Sequence, residues 1–179
     1  MNLNSQISNA WHKFSISLAD VLVKKYNAKR YNTFSYSIIN QDKRILINKE
    51  TFFLFYSLID RFLFELVGSK QRDFILDSIL HNTAKEYIKM LNLKIDLDDF
   101  IEEVNIRQEN WGKLKGLITE EGVGSIVYFF SQNVAEIACN NQTDISFLQV
   151  YEDVVPYCIN TMALILNILK TFDVIEGYF

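Results

Sequence analysis

The sequence predicts an all-α protein, a single-domain bundle of six or seven helices formed by residues 1–179. Turn-forming residues are scarce, with six glycines and one proline, which favours helices joined by short loops over a many-stranded fold. Over most of the chain, apolar residues recur every three or four positions, the period of an amphipathic helix. One stretch in the first half is apolar on nearly every side and is expected to be the buried centre of the bundle.

This central helix is predicted over about residues 49–67. Asn48 is expected to be its N-cap, because the side-chain oxygen can accept a hydrogen bond from an amide of the first turn. Gly68 is expected to end the helix in a left-handed conformation. Between Thr51 and Val67, only three residues are charged: Asp60, Arg61 and Glu65. A helix that is apolar all round must be covered by other elements.

A first helix is predicted from about Gln6 to Tyr26, with Ser5 as its cap, because apolar residues follow one stripe along it. The period then changes. Between residues 33 and 47, apolar side chains alternate with polar ones on either side of the segment Asn40–Asp42. Such alternation around a polar turn predicts a small β-hairpin, which would need to pack on the helices because an isolated hairpin is only marginally stable.

Three further helices have recognisable beginnings. Ser69 is expected to cap a third helix that ends near Leu91, and a fourth helix is expected to start at Asp96. Acidic residues crowd the first turns of this fourth helix, where they suit the positive end of the helix dipole. Thr119 is expected to cap a fifth helix that reaches Cys139.

The remaining chain is predicted to hold two helical segments divided by the single proline. The first starts at Thr143 or Asp144 and runs to about Val155. Pro156 is expected to kink or restart the helix, since proline lacks the backbone N–H and clashes with the preceding turn. The last segment then continues to about Phe172.

The apolar run from Val154 to Leu169 raises the question of a membrane span. It is shorter than the roughly 20 apolar residues that a span needs, and Asp153 and Lys170 bound it closely. We therefore expect a buried bundle helix and no membrane span. The first residues lack a basic and then apolar signal pattern, and two cysteines cannot form a disulfide scaffold, so a cytoplasmic protein is expected.

No catalytic signature is present: the chain has no GxGxxG, P-loop, GxSxG or HExxH motif. The interpretation therefore leans away from an enzyme, and no cofactor is expected. One candidate for metal-dependent hydrolysis is the set Asp73, Asp77 and His81, spaced by four on the third helix. The favoured alternative is an ordinary solvent-facing stripe, because these residues lie opposite the apolar face of that helix.

Charge is unevenly distributed along the chain. Residues 1–50 hold eight Lys and Arg against three Asp and Glu, whereas the rest holds ten against nineteen. The basic part includes a cluster with interleaved aromatic residues: Lys24, Lys25, Tyr26, Lys29, Arg30 and Tyr31. Cations can neutralise phosphates while rings stack on bases, so a nucleic-acid-associated regulator using residues 24–44 is an alternative function. A solvated helix end is the favoured explanation, because the remaining chain is acidic.

Aromatic residues make up 14% of the chain, more than a small bundle core needs. The surplus is compatible with a small apolar ligand or an interaction surface, for which the candidates are Tyr128, Phe129, Phe130, Tyr178 and Phe179. The leading hypothesis is a non-catalytic protein that binds another protein, either a different chain or a second copy of itself. Accessory, immunity-type and phage or mobile-element proteins include small acidic helical proteins of this kind.

The nucleic-acid alternative predicts a salt-dependent interaction. Binding of the protein to labelled DNA or RNA should weaken steeply as salt rises, because counterions are released from the phosphates. The combined change Lys24→Ala, Lys25→Ala, Lys29→Ala and Arg30→Ala should abolish this binding in a fluorescence-anisotropy titration. Binding that survives the four changes would contradict the alternative.

Overall fold

The computed structural model describes residues 5–14, 17–18, 41–114, 116, 124–138 and 144–171. This part of the chain forms six helices and contains no strand, so the all-α prediction is confirmed. Helix α1 covers residues 5–14, with helical backbone again at 17–18. The others are α2 (Gln41–Val67), α3 (Ser69–Leu91), α4 (Leu97–Gly112), α5 (Ile126–Ala138) and α6 (Asp144–Thr171).

The chain divides into two compact units, each of which collects segments that are distant in the sequence. Unit 1 consists of Met1–His12, Phe55–Lys113 and Thr161–Phe179, and unit 2 consists of Lys13–Leu54 and Leu114–Asn160. Both α2 and α6 contribute residues to both units. That residues 1–179 form a single domain stays a prediction.

Helix α2 is the buried helix that the sequence predicts. Every residue from Glu50 to Ile59 is buried, and so are Phe62 and Leu63. Burial on successive residues, rather than on one stripe, is the consequence of apolar side chains in every direction around the axis.

The start of α2 differs from the prediction, and the predicted hairpin near 33–47 is wrong in its second half. Residues 41–47 are helical, while 33–40 lie outside the described residues. Asp42 occupies the first turn of α2, where its charge suits the helix dipole. Ile47 is buried four residues before Thr51, so the apolar stripe begins earlier than the alternation suggests. Asn48 is therefore inside the helix, and its carbonyl accepts a hydrogen bond from Thr51 Oγ1 at 2.6 Å.

Gly68 separates α2 from α3 with a φ of 74° and a ψ of 174°. This positive φ is close to what the sequence predicts, although the ψ lies outside the left-handed helical region, in a conformation that is essentially restricted to glycine. The N–H of Gly68 donates to Phe64 O at 3.2 Å, and its carbonyl accepts from Arg72 N at 3.1 Å. Ser69 is the first residue of α3 and not its cap, because Gly68 holds the cap position without a side-chain hydrogen bond.

The turn between α3 and α4 follows the sequence closely. Helix α3 ends at Leu91, and Asn92 takes the left-handed conformation that asparagine tolerates. Its N–H donates to Lys89 O at 3.3 Å. Asp96 is the N-cap of α4, and its carboxylate accepts from Asp98 N at 2.9 Å. Both predicted boundaries are therefore confirmed.

In unit 1, α1 packs on α3, and α4 packs on both α3 and α2, through aromatic and polar contacts. Trp11 of α1 lies edge-on to Tyr87 at 5.0 Å between ring centroids, and Tyr87 stacks on Phe100 of α4 at 5.1 Å. Gln108 of α4 donates to Ser57 of α2 at 2.6 Å. These contacts fix which faces of α3 are turned inwards.

In unit 2, α5 begins at Ile126 and is capped by Ser125, whose Oγ accepts from Tyr128 N at 3.1 Å. Thr119, the predicted cap, and Cys139, the predicted end, lie outside the described residues. Asn133 donates to the buried carboxylate of Glu50 at 2.9 Å, so a charged group of α2 meets a polar partner from α5.

Helix α6 runs through Pro156 without ending, so of the two predicted effects the restart is wrong and the kink stays a prediction. Pro156 has no N–H to donate to the carbonyl of Glu152, but both residues are exposed, and water can donate to that carbonyl instead.

Within the described residues, the segment Tyr151–Lys170 of α6 is long and apolar enough to cross a membrane by length and composition. Core helices of soluble proteins pass the same test, and the absence of a membrane span stays a prediction.

The cap at Asp96 can be tested directly. The change Asp96→Ala should lower the free energy of unfolding by about 1 kcal/mol, because the amide of Asp98 loses its acceptor. Urea denaturation followed by circular dichroism measures the loss. Asp96→Asn is the matched control and should retain most of the stability, since its amide oxygen can also accept; equal losses for both variants would show that the cap does not act through this bond.

Candidate functional site

Phe74 on α3 is the most exposed large apolar residue of the described chain, with 81% of its surface accessible. The buried face of α3 consists of Leu76, Ile79, Leu80, Thr83, Ala84 and Tyr87. On a helix with 3.6 residues per turn, Phe74 lies on the side opposite to the middle of that face. Its ring therefore projects from the centre of the polar side of an amphipathic helix, where phenylalanine is unexpected.

The residues beside Phe74 on this face are polar or charged. Lys70 lies one turn before it, Asp77 and Ser78 lie one turn after it, and His81 lies two turns after it; all are exposed. Lys70 and Asp77 form no hydrogen bond or ion pair with the part of the chain that the structure describes. We call Lys70, Phe74, Asp77, Ser78 and His81 the α3 outer face. It combines one large apolar group with two opposite charges.

Arg72 points in a different direction, towards α2, because residues two apart on a helix differ by about 200° in direction. Its guanidinium group lies over the Phe64 ring, 5.7 Å from the centroid, and Phe64 is itself 53% exposed. Arg72 Nε donates to Asp73 Oδ1 at 2.9 Å and lies 3.2 Å from Asp60 Oδ1. One arginine thus joins two carboxylates and a ring at the corner between α2 and α3.

The carboxyl group of Asp60 is in an unfavourable position at this corner. Its Oδ1 is buried and accepts no hydrogen bond within the described part of the chain, so the contact with Arg72 is an ion pair only. Burial raises the pKa of Asp60, and Arg72 and Arg61 offset this rise only in part. The nearby Tyr56 hydroxyl also has a raised pKa, because it is buried and the charges of Asp60 and Asp77 oppose its ionisation. Tyr56 therefore remains a neutral phenol at physiological pH and cannot serve as a base.

Arg61 lies on another side of α2 and contacts α4. Its Nη2 donates at 3.2 Å to the carbonyl of Trp111, near the end of α4, and this carbonyl also accepts from Lys113 N. Arg107 lies over the Trp111 ring, 5.5 Å from its centroid. These contacts are structural, since they fix the end of α4 against α2.

The predicted metal candidates do not converge. Asp73, Asp77 and His81 are all exposed on α3, and no group of three His, Cys, Asp or Glu residues suited to a metal ion occurs among the described residues. Asp73 is instead engaged by Arg72. The three side chains are exposed to solvent, and their role as metal ligands stays a prediction.

The predicted aromatic surface is only partly accessible. Phe130 is fully buried in unit 2, so its inclusion is wrong; it is turned inwards with Val134 and Val127. Tyr128 and Phe129 are half-buried and contact each other edge-on at 5.6 Å. The other two predicted residues, Tyr178 and Phe179, lie outside the described residues, as does the basic cluster Lys24, Lys25, Tyr26, Lys29, Arg30 and Tyr31.

Sequence reasoning missed Phe74, although a signal for it exists. The helical phase of α3 separates this residue from the apolar stripe, so an exposed position could have been read from spacing alone.

In unit 2, Cys158 is a buried free thiol, and burial raises its pKa to about 12. It therefore stays protonated and is a poor nucleophile.

Comparison with known proteins adds no relative: no protein-family model matches the chain, and neither the curated proteins nor the solved structures give a significant match.

The raised pKa of Asp60 predicts a pH dependence of stability. The folded protein holds the proton of the Asp60 carboxyl group more tightly than the unfolded chain, in which aspartate side chains have a pKa of about 3.9. The contribution of Asp60 to the free energy of unfolding is therefore most favourable at acid pH. It is lost as the pH rises through the raised pKa of this group. Asp60→Asn cannot ionise, so its stability relative to wild type should increase from about pH 4 towards neutrality in urea titrations at each pH.

Asp73→Asn is the control for this experiment. It also removes a carboxylate that contacts Arg72, but it leaves Asp60 in place and should keep the Asp60 part of the pH dependence. A constant stability difference between Asp60→Asn and wild type across this pH range would contradict the interpretation.

Proposed function

We propose that the protein acts by binding another protein chain through the α3 outer face, with Phe74 as the central anchor. The observation that carries this proposal is the 81% exposure of a phenylalanine in the middle of a polar helix face. Burying such a ring contributes roughly 1.5–3 kcal/mol that the isolated chain does not realise. A binding partner would recover this energy.

The surroundings of Phe74 suit a protein partner. Aromatic residues are enriched at interface hot spots, and a polar rim around them supplies hydrogen bonds and orientation. Lys70, Asp77 and Ser78 provide such a rim within one turn of the ring. Because α3 is held by its inner face against α1 and α4, the outer face is presented on a preformed helix, which lowers the entropy lost on binding.

The proposal favours binding over catalysis. Burial raises the pKa of both the Tyr56 hydroxyl and the Cys158 thiol, so both groups are held in their neutral forms. Neither shift prepares a base or a nucleophile for reaction at neutral pH. At the corner of α2 and α3, Arg72 forms ion pairs with Asp60 and Asp73, and we assign these contacts to structure rather than to a reaction.

The test is a pull-down with the tagged full-length protein in lysate of its own cell, with a second, differently tagged copy added. Wild type should retain either a different protein or the second copy. Phe74→Ser should weaken retention of that same protein by roughly thirtyfold, as expected for removal of an anchor worth about 2 kcal/mol.

Met90→Ser is the matched control. Met90 is 41% exposed and lies on the same helix, but it points about 160° away from Phe74. This variant should retain the partner as wild type does. Equal retention by wild type and Phe74→Ser, with both variants folded by circular dichroism, would show that the α3 outer face is not the binding surface.

A further inference from the structure

We infer that the chain bound by the α3 outer face is a second copy of this protein, with the two α3 helices antiparallel about a twofold axis at Phe74. This inference rests on the proposed function, since it names the partner of the same surface. Homodimers with twofold symmetry use one patch on both copies, so the patch must be complementary to itself. The α3 outer face meets this requirement.

The charges beside Phe74 are placed for self-pairing. In an antiparallel pair centred on Phe74, a residue four positions before the centre faces a residue four positions after it on the other helix. Lys70 of one copy then faces Ser78 of the second copy and lies beside Asp77 of the second copy. By symmetry this charge pair forms twice. Lys70 and Asp77 form no ion pair within the described residues, so none has to be broken first.

The parallel arrangement is disfavoured by the same charges. It would place Lys70 beside Lys70 of the second copy and Asp77 beside Asp77 of the second copy, so that both contacts are repulsive. Charge alone therefore selects the antiparallel orientation. The small side chain of Ser78 also permits close approach of the two helices around the rings.

The size of the apolar contact sets the expected strength. Two phenylalanine rings contribute on the order of 300–500 Å² of buried area, against about 1,200 Å² or more for a stable interface. The charged and polar residues of the same face must supply the remainder. We therefore expect a dimer that forms reversibly and depends on protein concentration and salt, rather than a permanent one.

The test is sedimentation velocity of the purified full-length chain over a range of concentrations at low salt. Wild type should be in equilibrium between monomer and dimer, and Phe74→Ser should weaken the dimer by roughly thirtyfold. Lys70→Glu and Asp77→Lys should each weaken it by roughly tenfold, because attraction at two symmetric contacts becomes repulsion.

The double variant Lys70→Glu with Asp77→Lys decides the orientation. It restores opposite charges across the antiparallel contact and should return the dissociation constant to within about threefold of wild type. In a parallel pair, each single change would only replace one like-charge contact by another and would not weaken the dimer, so loss in both single variants with restoration in the double variant identifies the antiparallel pair. Lys94→Glu is the control, since it changes the net charge as Lys70→Glu does but lies in the exposed turn beyond α3.

Each outcome separates this inference from the proposed function. A wild-type protein that stays monomeric, or a double variant that is not restored, overturns the antiparallel homodimer. If a different protein is then lost from the pull-down with Phe74→Ser, the proposed function still stands. If Phe74→Ser affects neither self-association nor any captured protein, both fail.

Discussion

The structure depends on the burial of α2. Its residues from Glu50 to Ile59 are covered on every side, so no turn of this stretch is available to solvent. Polar groups within this stretch need partners, because an unpaired buried polar atom is costly. Glu50 accepts from Asn133, and Ser57 accepts from Gln108, so neighbouring helices provide polar contacts as well as apolar cover.

Helix α3 has two faces with different roles. Its inner face holds Tyr87 between Trp11 and Phe100, an arrangement of rings at 5.0 and 5.1 Å that joins three helices. Its outer face leaves Phe74 accessible. The inner contacts contribute to folding stability, whereas the exposed ring contributes little until a second surface covers it. The binding role that we propose would account for such a residue on a polar face.

The corner between α2 and α3 shows how local backbone and electrostatics are coupled. Gly68 turns the chain with a positive φ, and this turn brings Arg72 close to Asp60. The Oδ1 atom of Asp60 is buried at this corner without a hydrogen bond, so the charged form of the carboxyl group is disfavoured. The arginine preferentially bonds the more exposed Asp73, which leaves the cost at Asp60 partly uncompensated.

The helical class, the burial of α2 and several helix ends could be predicted from the sequence because they depend on nearby residues. Asp96 caps α4 because its carboxylate oxygen accepts a hydrogen bond from the amide only two residues later. Gly68 adopts a positive φ because it lacks a side chain. The hairpin prediction was wrong for residues 41–47, since so short a segment fits a strand and the start of a helix equally. The helical phase of α3 placed Phe74 away from the apolar stripe.

Only the tertiary structure decided which of these surfaces are covered. It enclosed Phe130, exposed Phe74 and Phe64, kept α6 continuous through an exposed Pro156, and engaged Asp73 with Arg72. The physical reason is that accessibility and charge pairing depend on residues far away in the sequence, whereas caps, turns and helical period depend on residues within a few positions.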